Sequence, residues 1–145
     1  MVRRNLRVAF CTLMVSILLG INAMAAFAAV SSPWKNYGPY LGYSYQNRAA
    51  VGSNDGVWAR TSVQNQVSSD VPTSYMGAAA KLYNSAGQLR EYTDMIYNDS
   101  PTRSMSVITA NEESSGTYYS KGMTSAYHGN GYNVFSTYQS PNINY

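Results

Sequence analysis

The sequence predicts an all-β protein, an antiparallel β-sandwich or small barrel of about seven strands that follows an N-terminal signal peptide. Two observations favour this fold. Clusters of Gly, Asn, Asp and Ser recur at spacings of roughly ten residues, which is typical of short strands joined by tight turns. Between these clusters, apolar and polar residues alternate with a period of two, as they do in half-buried strands.

The N-terminal segment matches the three-part pattern of a secretory signal. Residues 1–7 are basic and contain no acid, residues 8–21 are mostly apolar, and Ala26-Phe27-Ala28 fits the small-x-small cleavage rule. The apolar run is shorter than the ~20 residues that span a bilayer, so we expect cleavage after Ala28, secretion, and no stable membrane insertion afterwards. The expected organisation is a cleaved signal peptide, an extended N-terminal arm and a single β domain: residues 1–28, 29–41 and 42–145.

Cleavage would change the composition of the protein. The whole chain has a net charge of +3, but three of its ten basic residues, Arg3, Arg4 and Arg7, belong to the signal segment. Seven basic residues then balance the seven acidic ones, so we expect neither nucleic acid nor an anionic membrane as a partner. The single cysteine, Cys11, is lost as well, which excludes a disulfide, a thiol nucleophile and a cysteine metal site from the exported domain.

Two hairpins are predicted in the first half of the β domain. Residues 42–51 and 57–64 flank a turn cluster at 52–56, and residues 75–83 and 88–97 flank a second one. The residues predicted to face the core lie at alternate positions of one strand from each hairpin: Val57, Ala59, Thr61 and Val63, and then Met76, Ala78, Ala80 and Leu82. A short helix is the alternative for the alanine-rich residues 76–82.

Two more strand regions follow. Residues 105–109 predict a short strand, and residues 117–127 and 132–138 predict a third hairpin around His128-Gly129-Asn130-Gly131. The Asn-Gly step favours a tight turn because both residues readily take positive φ angles.

Signals for chemistry are weak in the predicted domain. His128 is its one histidine, and no Gly-x-Ser-x-Gly elbow accompanies it. Glu91 and Asp94 lie three positions apart on one strand and therefore point to opposite faces. We expect no metal, no cofactor and no enzymatic activity, although a hydrolase with carboxylates from distant strands stays open.

Aromatic residues are the feature most suggestive of function. All 14 tyrosines follow residue 28, and each offers a rigid apolar face with a polar tip. The predicted ligand contacts are Trp34, Trp58, Tyr118 and Tyr132. They indicate a non-enzymatic module that binds a cell-wall or extracellular glycan, another extracellular polymer, or a protein. The alternatives are a bacteriocin-like toxin or antagonism factor, and a matrix or fibre component assembled through cross-β pairing.

Overall fold

The computed structural model describes residues 29–145, and the predicted signal peptide lies outside the described residues. The all-β prediction is confirmed, because residues 29–145 contain thirteen strands, all paired antiparallel, and no helix. None of this range therefore offers an apolar helix long enough to cross a membrane. The strands are β1 Val30–Ser31, β2 Lys35–Tyr40, β3 Tyr43–Asn54, β4 Gly56–Asn65, β5 Met76–Ala79, β6 Lys81–Asn84, β7 Leu89–Tyr92, β8 Ile96–Tyr97, β9 Ser104–Ile108, β10 Thr117–Ser120, β11 Met123–Tyr127, β12 Tyr132–Ser136 and β13 Ile143–Asn144.

The front sheet consists of β1, β2, β3, β4 and β9, with β3 and β4 at its centre. The hairpin of β3 and β4 is tighter than the sequence predicts, because only Asp55 lies between the two strands. Gly52 belongs to β3 and pairs with Trp58. A Cβ atom on Gly52 would come within 2.7 Å of Cη2 in the Trp58 ring, so the glycine makes room for the indole.

The back sheet contains the remaining eight strands in two segments, ordered β13-β10-β6-β7 and β12-β11-β5-β8. Ser120 pairs with Leu82 and Met123 pairs with Ala79, so the register is the same on both sides of the junction. The Lys121 N–H also donates to the Lys81 carbonyl at 3.2 Å, inside the gap. The two segments are therefore continuous halves of one sheet, and the interruption between them divides the predicted strands 75–83, 88–97 and 117–127 in two.

The two sheets pack face to face as a sandwich, with β4 against β5, β6, β10 and β11. All eight residues predicted to face the core are 0% exposed: Val57, Ala59, Thr61 and Val63 of β4, and Met76, Ala78, Ala80 and Leu82 of the back sheet. The helical alternative for residues 76–82 is wrong, because β5 is hydrogen-bonded to β11 on one side and to β8 on the other. The segment expected as an arm, 29–41, supplies β1 and β2, which both pair with β3.

A polar layer divides the core into two apolar clusters. Asn47 and Thr124 are both fully buried, and the Asn47 Nδ2 donates to Thr124 Oγ1 at 2.7 Å between the sheets. Thr61 is buried beside Gly122 in the same layer. One hydrogen bond and a close backbone approach therefore join the sheets at the centre of the sandwich, with apolar packing on either side.

An ion pair joins the two sheets at one end of the sandwich. The Arg90 Nε of β7 donates to Glu112 Oε2 at 2.8 Å, and the Glu112 backbone pairs with Val57 of β4. Glu112 also accepts a hydrogen bond from the Ser114 N–H at 3.0 Å. The hydrogen bond from Arg90, followed by that from Ser114, lowers the pKa of Glu112 from 4.5 to about 2.

This lowered pKa predicts a loss of stability in acid that depends on Glu112. Because the folded-state pKa lies below the unfolded value, the stabilisation is present above pH 4.5 and is lost as the pH falls towards about 2. Glu112→Gln should reduce that acid sensitivity, as measured by urea unfolding across this pH range. Glu113→Gln, at the adjacent exposed residue, should keep the wild-type acid profile. Equal acid profiles for wild type and Glu112→Gln would contradict the assignment.

Candidate functional site

Five tyrosine rings form a continuous row at one end of the sandwich, and we call them the tyrosine row: Tyr43, Tyr75, Tyr127, Tyr132 and Tyr97. The strand register brings them together. Tyr127 of β11 pairs directly with Tyr132 of β12, and the Tyr127 N–H donates to the Tyr75 carbonyl at 2.9 Å. Tyr97 of β8 pairs with Gly77 of β5 on the outer face of the back sheet.

Each ring of the tyrosine row contacts the next. The centroid distances are 6.0 Å from Tyr43 to Tyr75, 5.3 Å from Tyr75 to Tyr127, 5.4 Å from Tyr127 to Tyr132 and 4.6 Å from Tyr132 to Tyr97. All four pairs lie within the range of favourable edge-to-face or offset arrangements. Tyr132 and Tyr97 remain 37% and 39% exposed, so this end of the row is open to a ligand.

A glycine creates the space that the row occupies. Gly77 lies on the outer face of β5, where a Cβ atom would come 2.9 Å from Tyr97 Cδ1 and 2.6 Å from Ser125 Oγ. Because Gly77 has no side chain, the Tyr97 ring lies close against the sheet, within 4.6 Å of the Tyr132 ring centroid. The glycine in mid-strand is therefore part of the architecture of the site.

Hydrogen bonds fix two of the rings. The Tyr132 hydroxyl donates to the Ser74 carbonyl and the Tyr127 hydroxyl donates to the Gly129 carbonyl, each at 2.8 Å. Desolvation, followed by the proximity of Tyr97 and Tyr127, raises the pKa of Tyr132. The Tyr132 phenol therefore stays neutral and oriented near neutral pH.

A cleft of about 300 Å³ adjoins the tyrosine row. Its walls are Thr73, Ser74, Tyr75, Tyr127 and Tyr132. Thr73 and Ser74 are exposed residues of this lining, and each adds a hydroxyl group to it. This lining provides stacking surfaces and hydrogen-bonding groups, and it contains no carboxylate or imidazole for proton transfer.

The four residues predicted as ligand contacts are separated in the structure. Tyr132 lies in the tyrosine row, whereas Trp34 and Trp58 are half-buried on the front sheet. The expected exposure of Tyr118 is wrong, because it is only 3% exposed. Its ring packs in the apolar cluster with Val57 and Leu82, and its hydroxyl donates to the Ser114 carbonyl at 2.7 Å.

Sequence reasoning did not single out Tyr75 and Tyr97 as ligand contacts. Both are separated in sequence from the hairpin that carries Tyr127 and Tyr132, and only the pairing of β5 with β11 and β8 brings them beside it. Gly77 was a usable signal, because glycine inside a strand often marks a place where another group approaches closely.

The described residues contain no group of three or more His, Cys, Asp or Glu side chains that could hold a metal ion. His128 is exposed in the β11–β12 turn, where its N–H donates to the Gly131 carbonyl at 3.0 Å. Comparison of the chain with family models, curated proteins and solved structures found no match. The geometry of the tyrosine row is therefore the basis for inferring function.

Proposed function

We propose that the protein is a secreted, non-enzymatic module that binds a cell-wall or other extracellular glycan at the tyrosine row. The observation that carries this proposal is the contact of five oriented tyrosine rings beside a hydroxyl-lined cleft. Aromatic faces stack on the apolar faces of sugar rings, while the neighbouring hydroxyls can hydrogen-bond to sugar hydroxyls. The expected export would place such a module among glycans.

The size and lining of the cleft favour a glycan over a protein surface. A volume of about 300 Å³ lies at the lower end of the range for small-ligand pockets, whereas a stable protein interface buries roughly 800 Å² on each partner. The cleft is thus suited to single rings of a polymer. Its uncharged lining supports recognition of neutral sugars.

The fixed geometry of the row supports binding without a large ordering cost. Tyr127 and Tyr132 are held by their ring contacts and by hydrogen bonds to backbone carbonyls. Rings that are already oriented lose little conformational entropy when a ligand binds. The absence of a carboxylate or imidazole from the cleft walls supports a role in retention rather than in hydrolysis.

The direct test is retention of the purified protein on insoluble peptidoglycan, cellulose and chitin, followed by titration with soluble fragments of the polymer that retains it. Tyr132→Ala should weaken binding by about tenfold, since loss of one stacking ring removes roughly 1.4 kcal/mol of binding free energy. Intrinsic fluorescence measures the dissociation constant, and circular dichroism verifies that the variant is folded.

Two matched variants serve as controls. Tyr132→Phe keeps the ring and should bind nearly as tightly as the wild type. Tyr92→Ala removes a tyrosine that is 62% exposed but lies outside the row, and it should leave binding unchanged. The proposal is wrong if no polymer retains the protein, or if Tyr92→Ala weakens binding as much as Tyr132→Ala does.

A further inference from the structure

The seven basic and seven acidic residues of 29–145 sum to zero charge, but the outer face of the front sheet is positively charged. The five strands of this sheet contain no Asp or Glu, while β3 carries Arg48 and β4 carries Arg60. Arg48 pairs with Ser62 and Arg60 pairs with Ala50, so the two arginines are diagonal neighbours on one face. Diagonal positions of an antiparallel pair lie roughly 7–8 Å apart, within reach of a single ligand.

Each of these arginines lies over a tryptophan. The Arg48 guanidinium carbon is 4.4 Å from the Trp34 ring centroid, and that of Arg60 is 5.0 Å from the Trp58 ring centroid. The Trp58 indole lies over Gly52, as described above. Two cation–π pairs are thus arranged side by side, in the order Trp34, Arg48, Arg60, Trp58, and we call them the Trp–Arg array.

The two guanidinium groups have no anionic partner in the described chain. Between residues 29 and 145 the ion pair is Arg90 with Glu112, and Arg90 is the arginine whose side chain donates a hydrogen bond. The planar sets of N–H donors of Arg48 and Arg60 are therefore available to a ligand. The positive charges of two neighbouring guanidinium groups repel each other, and an anion bound between them would relieve that repulsion.

We propose that the Trp–Arg array, on the outer face of the front sheet, is a second binding site for the carboxylate or phosphate groups of an acidic polysaccharide. A guanidinium binds either oxyanion through paired N–H donors, and the half-buried indoles that hold the guanidinium groups leave part of their apolar surface to the sugar rings beside it. Nucleic acid fits less well, because its affinity comes from many phosphate contacts and this face presents two arginines. The proposal does not depend on the tyrosine row.

The test measures binding of the purified protein to immobilised polygalacturonate, a phosphomannan, neutral dextran and single-stranded DNA at two salt concentrations. We expect binding to one or both acidic polymers that weakens with added salt. Polygalacturonate and the phosphomannan, both polysaccharides, distinguish a carboxylate from a phosphate ligand. The double variant Arg48→Gln, Arg60→Gln should weaken this binding by about tenfold or more.

The matched control is the double variant Arg103→Gln, Lys121→Gln, which removes the same charge from two exposed positions outside the array. It should retain wild-type binding, as should Tyr132→Ala, which separates this proposal from the one for the tyrosine row. If the glutamine variant of the array is unfolded, Arg48→Lys, Arg60→Lys keeps the charge but loses the planar fork, and it should bind more weakly than the wild type. Equal losses in both charge-removing variants, tighter binding to DNA than to either acidic polysaccharide, or no binding to either acidic polymer would overturn the proposal.

Discussion

Gly122→Ala should lower the free energy of unfolding by about 3 kcal/mol, because it forces a methyl group into a tight contact between the two sheets. A Cβ atom on Gly122 would overlap Thr61 Oγ1 and come 2.7 Å from the Ala79 carbonyl oxygen. The Ala79 carbonyl is backbone and cannot move without disturbing β5, and the side chain of Thr61 is fully buried, so it has little room to rotate away. Urea unfolding measures the loss.

Gly42→Ala is the matched control for this substitution. Gly42 has a φ of +85°, but a Cβ atom there would meet no other atom within 4 Å. The expected cost is therefore only the ~1 kcal/mol of a left-handed backbone. At Gly122 the expected loss of stability comes instead from the steric overlap of the added methyl group. If the two variants lose equal stability, the close approach of the sheets at Gly122 is not the cause.

Tyr45→Ala should be the second severe substitution, with an expected loss of ~3–5 kcal/mol. Tyr45 is 0% exposed and its ring stacks on that of Tyr37 at a centroid distance of 5.5 Å. Truncation would leave a large cavity in the apolar cluster that includes Val63 and Met76. Denaturant unfolding monitored by circular dichroism measures the effect.

Tyr45→Phe separates the ring from its hydroxyl. The buried Tyr45 hydroxyl has no hydrogen-bond partner among residues 29–145, so removing it should leave stability unchanged or raise it by ~1 kcal/mol. Burial raises the pKa of Tyr45 from 10.0 to about 12. Tyr45 is neutral in both states below pH 10.0, and as the pH rises towards 12 its ionisation in the unfolded state lowers the free energy of unfolding. The phenylalanine variant should lose less stability in alkali. A loss at neutral pH as large as that of Tyr45→Ala would contradict this account.

Local sequence signals predicted much of the secondary structure. The alternation from Val57 to Val63 identified the inward face of β4, and the alternate residues from Met76 to Leu82 identified that of the central back strand. The turn around residues 128–131 was also predicted, and it joins β11 to β12. These features depend on side-chain periodicity and turn chemistry, which act between residues close in sequence.

The candidate sites were only partly predictable. Tyr132, Trp34 and Trp58 lie on surfaces to which we assign ligands, but Tyr118 is in the core although it resembles its neighbour Tyr119 in every local respect. Which face of a strand is buried depends on the sheet packed against it. Arg60 shares a face of β4 with Trp58 by simple strand alternation, but the contact of Arg48 with Trp34 follows from the path of the chain before β2.

The sequence by itself determined the all-β class, the alternating faces of the strands and the positions of most turns, because each arises from short-range patterns of side chains and backbone preference. Only the tertiary structure decided that the long back strands are interrupted, that a polar layer with Gly122 divides the core, and that two separate aromatic surfaces form. Those features require residues as distant as Asn47 and Thr124 to meet across the sandwich. Such meetings depend on strand order and register, which non-local packing selects.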